Sequence, residues 1–168
     1  MTRKLEFSLA DWNNPNDCQS VLALLQAYAL HPMGGAEPLS DYCVQNLPQA
    51  MAATPGAFSV IAWQVDNDGK RCAVALANCF STLSTFACKP LINIHDLYVS
   101  DAARGQGTGQ AIMGFVEKEA RSRGCCKVTL EVLSGNSNAI SSYKQFGFIP
   151  YTMDDTNGHA LFMHKKLD

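Results

Sequence analysis

Leu91-Ile92-Asn93-Ile94-His95-Asp96-Leu97-Tyr98-Val99, followed after Ser100–Ala103 by Arg104-Gly105-Gln106-Gly107-Thr108-Gly109, is the stretch that decides the fold. Its first half is rich in β-branched and aromatic residues and reads as a strand. From Gln106 to Arg123 the period becomes helical: Gly109, Ile112, Met113, Val116 and Ala120 form one stripe, and Gly124 closes the helix. A strand that runs into a glycine-rich turn and then a helix is an anion site. The first N–H groups of the helix have no intrahelical partner, and the dipole adds positive potential there. Glycine lets the backbone approach oxygen atoms that a Cβ would block, and Arg104 can add a charge-assisted bond to a phosphate. The plainer alternatives are a tight turn and a solvated arginine.

A phosphorylated ligand is therefore expected, and the spacing narrows its type. A Walker phosphate loop needs Gly-x-x-x-x-Gly-Lys followed by Ser or Thr, and no such Lys is present. The dinucleotide fingerprint Gly-x-Gly-x-x-Gly fails because its third glycine would fall on Gln110.

Outward from this stretch, Asn14-Pro15-Asn16-Asp17 reads as a helix start, with Val21, Leu22, Leu25, Tyr28 and Ala29 as its apolar stripe and a stop before Pro32. Met33-Gly34-Gly35 is a loop, and Pro38 to Ala53 reads as a second helix, bent or split at Pro48. Ala57 to Val65 and Arg71 to Phe80 form a hairpin around Asp66-Asn67-Asp68-Gly69, with a loop from Ser81 to Pro90. Beyond the central helix, Lys127 to Leu133 alternates as a strand. Ser137 to Phe146 is a short helix ended by Gly147, and His159 to Leu167 a last strand, with Tyr151 opening a partner before it. The expected fold class is α/β (α+β), a single domain over residues 1–168.

Composition fits one such domain. The chain has 168 residues, 47% of them hydrophobic, and a formal net charge of -2. A chain of this size buries roughly two-thirds of its unfolded surface and needs no staples. No basic block tracks a phosphate backbone, which argues against nucleic acid as partner. The N-terminus lacks the apolar run of a signal peptide, and no stretch of about twenty apolar residues spans a membrane. The 7 Cys include no Cys-x-x-Cys pair and the 4 His do not cluster beside them, so no metal site is expected. Free thiols suit a reducing, cytoplasmic setting. Cys125-Cys126 have no base or cation placed to activate them as a nucleophile.

The pattern Arg-x-x-Gly-x-Gly over Arg104 to Gly109 resembles the cofactor motif of the GNAT superfamily, the general N-acetyltransferases. A second motif of that family, Asn-x-x-Ala-x-x-x-Tyr-x-x-x-Gly-Phe, is matched in register by Asn136, Ala139, Tyr143, Gly147 and Phe148. The two motifs cover Ile92 to Phe148, about a third of the chain. The resemblance implies a central mixed, mostly antiparallel sheet flanked by helices, with a cleft where the fourth and fifth strands splay apart. It implies acetyl-CoA as acyl donor, held by Arg104, Gly105, Gln106, Gly107, Thr108, Gly109 and Gln110. The main chain of Leu97, Tyr98 and Val99 would bind the pantetheine arm and the acetyl carbonyl. Homodimers are common in that family, and an edge strand near the C-terminus would offer a surface for one.

The implied reaction is transfer of acetyl to a primary amine of a small molecule or peptide. It needs a neutral amine, a thioester against it, donors for the oxyanion and a proton for the thiolate. Tyr143 matches the tyrosine that commonly protonates the thiolate, and a phenol is protonated at neutral pH; core packing is its alternative. Asn136 either bonds the pantetheine arm or caps a helix. Many relatives carry a glutamate on the fourth strand as base, where this chain has His95 and Asp96. Strand alternation lets at most one of them point into the cleft. An imidazole suits proton removal near neutral pH, Asp96 can attract a cationic amine, and solvent is the third candidate base. Locally, Ile94 to Val99 also resembles the spermidine/spermine N-acetyltransferases. A non-catalytic acetyl-CoA sensor is the competing reading.

Overall fold

In the computed structural model, which describes residues 4–151 and 160–167, the chain forms two compact units, Met1–Leu130 and Glu131–Asp168. The first unit is built on a five-stranded sheet in the order of the sequence. Strands β1 (Lys4–Leu9), β2 (Ala57–Val65), β3 (Arg71–Ser84) and β4 (Lys89–Val99) pair antiparallel, and β5 (Val128–Leu130) lies parallel to β4. This is the mixed, mostly antiparallel sheet that the motifs implied.

Helices cover both faces. Helix α1 (Pro15–Leu30) starts as its residues dictate: Asn14 Oδ1 accepts from the Asn16 N–H at 3.0 Å, and Pro15 is the first helical residue. Its buried Val21, Leu24 and Leu25 pack with Ile61 and Trp63 of β2, Leu76 of β3 and Tyr98 of β4. Helix α2 (Asp41–Ala53) begins at the Ser40 cap rather than at Pro38, and it runs through Pro48 without a break. On the opposite face helix α3 (Thr108–Ser122) buries Ile112, Met113, Val116 and Ala120, and its Phe115 stacks on Phe7 of β1 at 5.7 Å. Each large side chain buried here contributes about 1.5–3 kcal/mol relative to exposure.

The sheet departs from the sequence reading in three places. Strand β1 is an addition, and it pairs from Lys4↔Val65 to Leu9↔Val60. Its alternation of Leu5, Phe7 and Leu9 with Lys4, Glu6 and Ser8 is a period-two signal hidden inside a polar-looking start. The hairpin between β3 and β4 is longer than expected. Ser81 to Ser84 pair with Ile92 to Lys89 in place of a loop, because the ladder satisfies backbone groups that a loop would leave to solvent. Strand β5 is only three residues long, since its register with β4 extends only over Ile92–Ile94.

The second unit contains helix α4 (Ser137–Phe146), closed by Gly147 at φ 110°. The strand expected over His159 to Leu167 is not formed over 160–167; His159, and the residues after Tyr151 where its partner was expected, lie outside the described residues. The apolar residues Ala160 to Met163 are consecutive rather than alternating, and they are exposed, with no ladder among the described residues to receive their backbone groups.

Candidate active site

Strand β4 carries the first half of the site, and its geometry turns on a bulge. Ile94 pairs with Cys79 and Asp96 pairs with Asn78, so His95 is an extra residue with no opposite number. Without it, Asp96 would share the face of Ile92 and Ile94. The bulge turns the strand over, so that Asp96 and Tyr98 face the α1 side with Leu76 and Asn78. The His95 ring meets the Phe80 ring edge-on at 5.5 Å. Phe80 lies two residues from Asn78 on β3, which places His95 on that face as well. The rule that only one of two adjacent strand residues can face a given side therefore fails here, and the bulge is the reason.

A chain of polar side chains crosses the sheet to Asp96. Ser59 Oγ donates to Asn78 Oδ1 at 2.5 Å, and Asn78 Nδ2 donates to Asp96 Oδ2 at 2.9 Å. Ser59 and Asn78 are 0% and 3% exposed, whereas Asp96 is half-buried and His95 exposed. Tyr28 of α1 closes the group, with its ring 6.0 Å from that of Tyr98. Burial, and after it the Asp96 charge, push the Tyr28 phenol above its ordinary range. It remains a neutral hydroxyl at working pH.

Past β4 the chain makes a short 3-10 turn over Asp101–Ala103 and enters the glycine run. Arg104 is held in three ways: Nε donates to Val99 O at 2.9 Å, Nη1 pairs with Asp101 Oδ1 at 2.7 Å, and Cζ lies 5.6 Å from the Tyr98 ring centre. Gln106 Nε2 donates to Ala102 O at 2.7 Å. Gly105 and Gly107 stand at φ 71° and 79°, where L side chains are strained, and among the described residues no atom lies within 4 Å of a Cβ built on either. Gly107 precedes α3, and the first helical bond is Ala111 N–H to Gly107 O at 3.0 Å. The N–H groups of Thr108 and Gly109 thus open on the helix end beside Gln110. Thr108 Oγ1 is buried with no hydrogen-bond partner among the described residues, and Thr108 is 1% exposed. Leu97, Tyr98 and Val99 pair with Ala77, Leu76 and Ala75 of β3, while the β5 ladder on the other edge stops at Ile94.

Asn136 and Tyr143 belong to the second unit. Asn136 Oδ1 accepts from the Ala139 N–H at 3.2 Å and caps α4. The Tyr143 ring lies 5.9 Å from Phe148, and the Phe148 N–H donates to Tyr143 O at 2.9 Å. The sequence reading missed Ser59, Asn78 and Tyr28, which gain meaning only through register. Among the described residues no His, Cys, Asp and Glu side chains gather as a metal site. The buried Cys79 thiol is pushed up to about 12, chiefly by burial, and is inert at neutral pH.

Residues 21–148 match the model of the acetyltransferase (GNAT) family. The chain belongs to the GNAT acetyltransferases. Thialysine N-epsilon-acetyltransferase of Bos taurus is 30% identical over 139 residues, 78% of each chain. In the Sus scrofa enzyme of that name the match narrows to 56 residues, 39% identical, a third of each chain. Among solved structures, a Trypanosoma brucei acetyltransferase superposes with a TM-score of 0.67 at 24% identity, over 98% of this chain and all of the other. An aminoglycoside N-acetyltransferase solved with CoA gives a TM-score of 0.73 at 14% identity, over 99% of this chain and 98% of the other. As a GNAT family member the chain is an N-acetyltransferase; the family uses acetyl-CoA as acyl donor. Among the described residues no helix is long and apolar enough to cross a membrane.

Proposed function

We propose that this GNAT enzyme moves the acetyl group of acetyl-CoA directly to a primary amine of a small molecule, with a lysine-like side-chain amine as acceptor. One observation carries the reading: the bulge at His95 sets an imidazole and a carboxylate side by side on the α1 face of the strand that leads into the glycine turn. The likeness to a thialysine acetyltransferase over most of the chain supports the same acceptor class.

The turn fits the pyrophosphate of acetyl-CoA. A Cβ at Gly105 or Gly107 would enter open space that phosphate oxygens can take. The amides of Thr108 and Gly109, the unpartnered Thr108 Oγ1 and the Arg104 guanidinium all offer donors, with Gln106 and Gln110 alongside. Bound there, acetyl-CoA supplies an activated acyl group. The main chain of Leu97, Tyr98 and Val99 lines its arm, past the point where the β5 ladder ends.

Asp96 draws the cationic amine into place, and the Tyr28 and Tyr98 rings give it aromatic neighbours. His95 takes the amine proton, so that the nitrogen lone pair can attack the acyl carbon. The N–C bond forms as the C–S bond breaks, and Tyr143, by its motif position, gives its proton to the departing sulfur. Asn136 caps the helix that carries Tyr143.

The test is a split in steady-state constants with thialysine as acceptor. Asp96→Asn raises the acceptor KM roughly tenfold with kcat little changed, because it removes charge attraction. His95→Gln lowers kcat by about 10²–10⁴, the usual worth of a general base. Unchanged constants in both variants would mean that the amine is held and deprotonated elsewhere.

A further inference from the structure

We propose that Asn78 and Ser59 are positioning residues of the acceptor site, acting through Asp96; the inference rests on the reading of Asp96 as the acceptor's anchor. Both lie in the middle of the sheet, at 0% and 3% exposure for Ser59 and Asn78, among Val60, Ile61, Leu76 and Ala77. Apolar side chains suffice to hold that part of the sheet together. A buried hydroxyl and amide there must be satisfied by each other or by a third group, and the third group is the Asp96 carboxylate.

The direction of the chain is fixed by its donors. The Ser59 hydroxyl donates to the amide oxygen of Asn78 at 2.5 Å, which leaves the amide nitrogen facing Asp96 Oδ2 at 2.9 Å. An amide held in this way cannot turn its oxygen toward the carboxylate, where two acceptors would repel. One oxygen of Asp96 is thus fixed by a neutral donor, and Oδ1 accepts no hydrogen bond from the described residues. That arrangement holds the carboxylate by a neutral donor, and no cationic side chain among the described residues is paired with it. The bulge at His95 brings Asp96 opposite Asn78 in the first place. Bulge and relay therefore act together: one chooses the face of the sheet, the other sets the angle.

A double-mutant cycle on the whole enzyme tests this, with thialysine and acetyl-CoA as substrates and acetyl-CoA affinity measured alongside. Asn78→Leu lowers kcat/KM for thialysine by roughly tenfold to a hundredfold, the worth of a hydrogen bond to a charged group, and most of the loss is in KM. Acetyl-CoA affinity stays the same. In an Asp96→Ala background the same Asn78 substitution has almost no further effect, since residues acting through one group are not additive. Ser59→Ala gives a smaller loss that Ser59→Thr restores, and this pair decides the matter if Asn78→Leu does not fold. Losses that multiply in the double variant, or that fall equally on acetyl-CoA binding, would overturn the positioning role while leaving Asp96 as the anchor. An Asp96→Ala enzyme with the native kcat/KM for thialysine, or no turnover of thialysine by the native one, would overturn the acceptor reading and this inference with it.

Discussion

Gly107 stands at φ 79° where the loop turns into α3, and nothing among the described residues lies within 4 Å of the place its Cβ would take. On the proposed reading, the pyrophosphate of acetyl-CoA takes that space. Gly107→Glu therefore strains the backbone and sets a carboxylate against the incoming pyrophosphate. The expected result is loss of the thermal stabilisation that saturating acetyl-CoA gives the native enzyme, a loss of about 3 kcal/mol at a hundredfold excess over Kd. Tyr143→Phe, in contrast, keeps that stabilisation and lowers turnover; an equally active Phe variant removes the proton-donor role from Tyr143. At this scale the sequence was most informative for Arg104 to Gly109, where function is written in contiguous residues. It was silent on Ser59, Asn78 and Tyr28. These are separated by 19 and 18 positions from Ser59 to Asn78 and from Asn78 to Asp96, and only strand register brings them together.

Among the elements, β4 matters most, and its bulge is the feature that periodicity reads wrongly. Strict alternation sends Asp96 to the side of Ile94, whereas the structure sends it to the side of Asn78. Deleting His95 restores the simple register and turns one half of the strand over. If the Asp96 end keeps its place, Ile92 and Ile94 leave their buried face; if the Ile94 end does, Asp96 and Tyr98 leave the α1 side. A one-residue slip exchanges the faces of a strand, so the deletion is expected to abolish turnover and lower the unfolding temperature. An insertion of Ala in the place of His95 keeps the bulge, and such a His95→Ala enzyme retains the fold with only the proton acceptor lost. Equal stability of the deletion and His95→Ala variants would show that the bulge does not set the face. Helices α1, α3 and α4 were legible because each carries its own start or stop: Asn14 for α1, Gly124 just past the Arg123 cap of α3, and Asn136 with Gly147 for α4. The tail was not, since a strand is defined by its partner and 160–167 have none among the described residues.

At the scale of the whole molecule, the sheet of the first unit separates two tasks. Its α3 side is apolar, with Ile112 and Val116 at 0% exposure, and it holds the helix whose first turn is proposed to receive phosphate. Its α1 side carries the polar chain that ends on Asp96, beside the Tyr28 and Tyr98 rings. The strand-turn-helix half of this design was legible from two motifs. The acceptor side was not, because it is assembled by pairing across β2, β3 and β4. The measurement that bears most directly on the proposed reaction is release of free thiol from acetyl-CoA, followed with and without thialysine, with the acceptor checked by mass spectrometry. The expected result is thiol release that depends on thialysine and matches N-acetylthialysine mole for mole. Thiol release no faster with thialysine than without it, or acetyl groups found on the protein instead of the amine, would contradict direct transfer to a small amine.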